Sequence, residues 1–251
     1  MIVPPIPFPK RRVSRSVALA QLAILERSYP NPQTALDHRN DFELLVAVIL
    51  SAQCTDARVN LTTPALFAKY PTAAALARAQ QPDVEKIVKS CGFFRMKARN
   101  VIACARDIEE RFGGSVPRER EELESLAGVG RKTASVVMAN AFAQEALAVD
   151  THVFRVSHRL GFTTGTTPRQ VEDDLTALVP APKWGAATHW LILHGRAICK
   201  APTPLCGRCP LAQRCPTPAI LAKIVAVRAR SSGRVAEARR PTRATSTKKK
   251  R

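Results

Sequence analysis

Residues 42–52, FELLVAVILSA, are apolar on nearly every face of a helix, the pattern of a helix buried at the centre of a helical domain. Ala98, Val101, Ile102, Ala105, Ile108 and Phe112 fall three and four apart and predict a one-sided amphipathic helix that Gly113-Gly114 stops. Pro82 suits the first turn of a helix ending at Gly92. Pro117 is expected to open another, where Glu119, Glu121 and Glu122 favour the helix dipole. The basic residues 10–15 followed by apolar residues 17–25 imitate a secretory signal, but Gln21 interrupts the run and Glu26-Arg27-Ser28 offers no small-residue cleavage site. That stretch reads as a disordered arm leading into a first helix. Few runs alternate with period 2, so the expected fold is all-α. No apolar run approaches the roughly 20 residues of a membrane-spanning helix, which predicts a soluble, cytoplasmic protein with no membrane partner.

Charge narrows the partner class. Of 251 residues, 39 are Lys or Arg and 20 are Asp or Glu, a formal net charge of +19. Residues 1–16 hold four basic residues and no acidic one, and residues 228–251 hold ten against one, leaving 25 against 19 for the body. Both ends are rich in Pro, Ser, Thr, Lys and Arg and lack the apolar content to fold. A moderately basic body between basic arms suits a polyanion, because each cation placed on a phosphate releases counterions regardless of sequence. Nucleic acid is the leading partner, with the C-terminal arm adding nonspecific affinity.

The densest chemistry lies at residues 123–134, LESLAGVGRKTA, which reads as a helix closing at Ala127, a Gly128-Val129-Gly130 turn, and a second helix starting near Arg131. Two glycines one residue apart permit positive φ and remove side chains, so backbone amides at the second helix's start can approach a phosphate, with Arg131 and Lys132 adding cations. A plain glycine-capped connector would carry the same pattern. Eighteen residues after Lys132, Asp150 stands where an apolar run meets the next helix, a natural N-cap. A lysine in the first turn of one helix and a carboxylate at the start of the next suit amine chemistry. The helix end and partial burial favour the free amine, and the carboxylate can stabilise positive charge developing on a sugar ring.

Seven cysteines are an odd number for a disulfide framework, and four of them, Cys199, Cys206, Cys209 and Cys215, crowd into 17 residues. That density points to metal, and the soft thiolate set suits either tetrahedral zinc or an iron-sulfur cluster. Cys54, Cys91 and Cys104 lie in apolar helical surroundings and read as small core residues.

LAGVGRKTA followed by VDTHVFRV resembles the endonuclease III branch of the helix-hairpin-helix DNA glycosylases, and the resemblance extends to Ser51-Ala52-Gln53, to HWLILHG at residues 189–195 and to the four-cysteine loop. It covers roughly residues 17–216 and implies a two-lobed fold: a six-helix lobe over residues 34–144, with the helix-hairpin-helix at 120–139, and a cluster lobe joining residues 17–33 and 145–223. Residues 1–16 and 224–251 are left as disordered basic arms. The implied activity is base excision repair by a monomer on duplex DNA carrying a damaged base or abasic site, near the nucleoid. Oxidised pyrimidines are removed and the strand is cleaved by β-elimination through a Schiff base on Lys132, with Asp150 as the catalytic aspartate. The cysteine spacing matches the family's 4Fe-4S loop, bordered here by Lys200, Arg208 and Arg214. Gln53 matches the residue that fills the hole left by a flipped base, with helix-end polarity as the competing reading, and Phe93 aligns with a wedge residue, with core packing as the competing reading. Asp56 is expected near the site, or as a cap of the helix at Thr55. Ala127 replaces a proline common before the hairpin, which predicts a looser entry. A glycosylase for mismatched or alkylated bases and a noncatalytic helix-hairpin-helix DNA-binding protein are the rival readings.

Overall fold

The computed structural model describes residues 6–222 and 224, and among them every regular element is helical. Helix α2 (Asp41–Leu50) begins where the Asn40 side chain accepts a hydrogen bond from the Glu43 amide, a cap worth about 1 kcal/mol. All of its residues except Asp41 are buried, which explains a sequence apolar on every face. Around it pack α3 (Asp56–Lys69), α4 (Ala73–Ala77), α5 (Gln81–Val88), the amphipathic α6 (Phe94–Phe112), α7 (Arg120–Glu124) and α8 (Arg131–Ala141). Leu44, Leu45, Leu66, Leu76, Ile108 and Leu123 meet there with no exposed surface. Truncating any of these leucines to alanine removes about 2–5 kcal/mol.

A second core joins α1 (Arg15–Ser28) to α9 (Thr151–Leu160), α10 (Pro168–Leu178), α11 (Trp184–Ala197) and the cysteine loop through Leu25, Val153, Val156, Leu175 and Leu191. The chain therefore starts in one lobe, builds the other, and returns. Helix α8 lies at the seam, packing on α2 to one side and α11 to the other. Among the described residues two ion pairs cross it: Arg131 with Glu172 at 2.7 Å and Arg196 with Asp56 at 2.8 Å.

Several expectations need correction. Pro117 lies before α7, which starts at Arg120 with Glu119 at its N-cap, and the helix ends at Glu124 rather than Ala127. The entry to the hairpin is not loosened by Ala127. The N–H that a proline would lack donates to Asp107 of α6 at 3.3 Å, tying the turn to that helix. Residues 6–16 are anchored at points along the second lobe: Phe8 stacks on His158 with ring centroids 4.4 Å apart, Val13 N–H donates to the Gly161 carbonyl, and Ser14 caps α1. Residues 1–5, and the C-terminal arm except residue 224, lie outside the described residues. Cys91 and Cys104 are buried, and burial pushes the Cys104 thiol up to about 12, whereas Cys54 is only half-buried.

Candidate active site and cysteine loop

The turn between α7 and α8 does not use its two glycines alike. Gly128 has φ +79°, and a Cβ there would stand 2.9 Å from Asn100 Cβ, so both conformation and space demand glycine. Gly130 is extended, with φ −106°, and a Cβ on it would meet nothing within 4 Å. Its bareness serves no packing inside the protein. Val129, expected to face a ligand, is buried, and its N–H donates to the Leu126 carbonyl. Arg131, expected as a free cation, is held by two bonds from Nε and Nη2 to the Glu172 carboxylate at 2.7 and 2.8 Å. Helix α8 starts with no side-chain cap and no acidic residue in its first turn. The first amides of that helix thus face outward unsatisfied, beside Lys132.

Lys132 and Asp150 line one cleft between the lobes, with Ser51, Asp56, Asn140 and Arg196 around them. Lys132 projects from the first turn of α8 and is exposed, not partly buried as expected. Asp150 is the N-cap of α9; its Oδ1 accepts from the Val153 amide at 2.7 Å, and its Oδ2 has no hydrogen-bond partner among the described residues. Capping and facing the cleft are compatible because they use different oxygens. Gln53 sits three residues past the end of α2 at φ +51°, exposed on the rim of the neighbouring cavity that Lys132 and Asp150 also line. Phe93 has φ +46° and is 62% exposed, which excludes core packing as its role. Non-glycine residues at positive φ are uncommon and cost free energy; among the described residues they are Gln53, Phe93 and Ala143. Asp56 is the first residue of α3, whose cap is Thr55, and its carboxylate accepts from Arg196.

Cys199, Cys206, Cys209 and Cys215 line a single cavity in the second lobe, closed by Leu160, His194 and Pro204. Arg159, 4% exposed, donates to the carbonyls of Cys199, Lys200 and Pro202 and reaches Cys199 Sγ at 3.6 Å, while its Nε is buried without a partner. A buried guanidinium against four neutral thiols would stand uncompensated; against four thiolates around a larger anionic group it is matched. The residues therefore fit a group held by four thiolates, a donor set that serves zinc or an iron-sulfur cluster. Burial drives the Cys206 and Cys209 thiols upward and Cys215 to about 11, so metal must displace protons to bind.

Residues 46–181 match the model of the HhH-GPD superfamily base excision DNA repair proteins. Over 197 residues the chain is 51% identical to endonuclease III of Synechocystis sp., covering 78% of this chain and 90% of that one. The chain belongs to the endonuclease III family. The Escherichia coli K12 endonuclease III is 42% identical over 203 residues, 81% of this chain and 96% of that protein. A solved endonuclease III trapped as a covalent intermediate with DNA, in an estranged-adenine complex, superposes with a TM-score of 0.79 at 42% identity, covering 82% of this chain and 97% of that one.

As a member of the endonuclease III family the protein is a base excision repair enzyme, a DNA glycosylase and abasic-site lyase. The family carries a 4Fe-4S cluster, for which the loop has the donors. No helix among the described residues is long and apolar enough to cross a membrane. The sequence reading missed Asn140, which lines the cleft from the last turn of α8, and gave no role to His189 or Arg196 of α11, although HWLILHG was a signal for that helix. Asn140 has no such signal: its position follows only from how α8 meets α11.

Proposed function

We propose that the cleft between the lobes takes an oxidised pyrimidine nucleotide flipped from duplex DNA. Lys132 Nζ attacks C1′ with its lone pair and the glycosidic electron pair leaves with the base; the C1′–O4′ bond then opens, its electron pair and a proton from Nζ going to O4′, to leave a Schiff base, and loss of a C2′ proton expels the 3′ phosphate by β-elimination. Asp150 Oδ2, free of the cap, stabilises the positive charge that develops on the sugar ring. Gln53 enters the hole left by the base, and Phe93 wedges into the opposite strand. The outward amides of α8 and the open space over Gly130 hold a phosphate of the same strand. Arg131 braces α8 against α10 through Glu172 rather than gripping DNA.

The observation that carries this reading is that Lys132 and Asp150, 18 residues apart in sequence, face one cleft from adjoining helix N-termini. Cys199, Cys206, Cys209 and Cys215 would hold a 4Fe-4S cluster whose contribution is to fix the fold of the loop. Lys200, Arg208 and Arg214, all exposed on that loop, then meet the DNA backbone. The partner is double-stranded DNA bound by a monomer in the cytoplasm, at the nucleoid. Lys132→Gln tests the assignment. It should abolish cleavage at a preformed abasic site while binding to lesion duplex stays within a few fold, whereas slightly weakened binding with cleavage intact would leave Lys132 a mere phosphate contact.

A further inference from the structure

The cleft lined by Lys132 and Asp150 also carries a hydrogen-bond chain that the sugar chemistry does not use. Asn140 Nδ2 donates to the Val136 carbonyl one turn back at 2.7 Å, so the amide oxygen is the group turned toward α11. His189 Nε2 lies 3.0 Å from that oxygen. An amide oxygen only accepts, so Nε2 must carry the proton. A neutral imidazole has one N–H; Nδ1 is then a bare lone pair. Burial and the positive charge of Arg196 hold His189 below its ordinary value, outweighing Asp150, and keep the ring neutral. Among the described residues Nδ1 has no hydrogen-bond partner, and the ring lines the same cleft as Lys132 and Asp150. The chain Val136, Asn140, His189 thus fixes a tautomer and presents an acceptor to whatever base enters.

Resting on the reading that the flipped nucleotide occupies this cleft, we propose that His189 is a specificity-determining residue whose Nδ1 accepts a hydrogen bond from an N–H on the pairing edge of the lesion base. The bases it takes are oxidised or saturated pyrimidines with an intact imide or amine. Pyrimidines alkylated at the ring nitrogen of that edge have no N–H to offer and set a methyl group against a lone pair. A site built around a fixed acceptor rejects the analogue that lacks the donor, because the acceptor is then left unpaired on closure.

The test is a two-by-two comparison of single-turnover base release, from duplexes carrying 5,6-dihydrothymine or 3-methyl-5,6-dihydrothymine, by the wild-type holoenzyme and by His189→Leu. The wild type should release dihydrothymine at least about tenfold faster than its methylated analogue. In His189→Leu that ratio should fall by at least about fivefold, with cleavage of a preformed abasic site, which has no base to read, within twofold of wild type. A wild-type ratio near one overturns the proposal without recourse to any variant. So does a ratio unchanged in His189→Leu, or a parallel loss of abasic-site cleavage, which would make His189 a structural residue. Absence of abasic-site cleavage by the wild type would instead strike at the lysine mechanism, leaving the two failures distinguishable.

Discussion

Gly128→Ala and Gly130→Ala are one methyl group each, two residues apart, and should have opposite consequences. At position 128 alanine must adopt φ +79°, costing about 1–2 kcal/mol. Its Cβ would also press to 2.9 Å on Asn100 Cβ, the root of a side chain on α6 that cannot swing away, for about 1–3 kcal/mol more. Together that is about 2–5 kcal/mol, or roughly 2–4 °C of Tm per kcal/mol in a chain of this size. At position 130 the backbone is extended and the added methyl meets nothing, so the cost is limited to exchanging an N-cap glycine for alanine, about 1 kcal/mol or less. If a phosphate sits over that bare backbone, the methyl group occupies its approach, and Kd for an abasic-analogue duplex should rise roughly tenfold, about 1.4 kcal/mol. Thermal unfolding followed by circular dichroism and fluorescence anisotropy with labelled duplex separate the two effects. Unchanged affinity in Gly130→Ala would refute the claim that DNA approaches the chain there, and an unchanged Tm in Gly128→Ala would refute the steric account of the turn.

Glu172→Gln removes the charge that Arg131 grips from α8 and should lower stability by about 1–2 kcal/mol in urea unfolding. Strand cleavage by the folded fraction should persist, since Arg131 is a brace. Burial opposes ionisation of Glu43, but bonds from the Arg39 guanidinium and amide outweigh it and hold the carboxylate below its ordinary range. A depressed folded value contributes stability that is present above the unfolded value of about 4.3 and is lost as pH falls through the folded one. Urea midpoints between pH 6 and 3 should therefore drop at the acid end in wild type and less in Glu43→Gln. Arg159→Met strips donors from the carbonyls of Cys199, Lys200 and Pro202. Each unpaired carbonyl costs about 1–3 kcal/mol, so the variant should purify with less iron per chain and a lower Tm; full iron content would contradict the role given to this arginine.

The helical class was legible because α2 and α6 carry unambiguous periodicity: one is apolar all round, the other on a single stripe. Asp150 was legible as a cap because an N-cap is a local matter of one side chain and the next turn. The failures arose where distant segments decide. Val129 lies between two glycines in a basic stretch and reads as surface, yet the turn folds it into the first core. Arg131 looked like a free cation because Glu172 is 41 residues away, and only the packing of α10 beside α8 brings the two together. The N-terminal arm has a disordered composition up to residue 16, but Phe8 finds an aromatic surface on α9 that no reading of residues 1–16 alone contains. Asn140 and His189 meet for the same reason, across the seam between lobes.

Lys132 is assigned as the nucleophile that bonds to the sugar, and reductive trapping tests that assignment most directly. Purified holoenzyme is mixed with duplex DNA carrying one oxidised thymine, and borohydride is added to reduce any Schiff base to a stable amine. Wild type should give a covalent protein-DNA band and Lys132→Gln none. Base release without a band from wild type, or an equal band from Lys132→Gln, would contradict the assignment of the nucleophile.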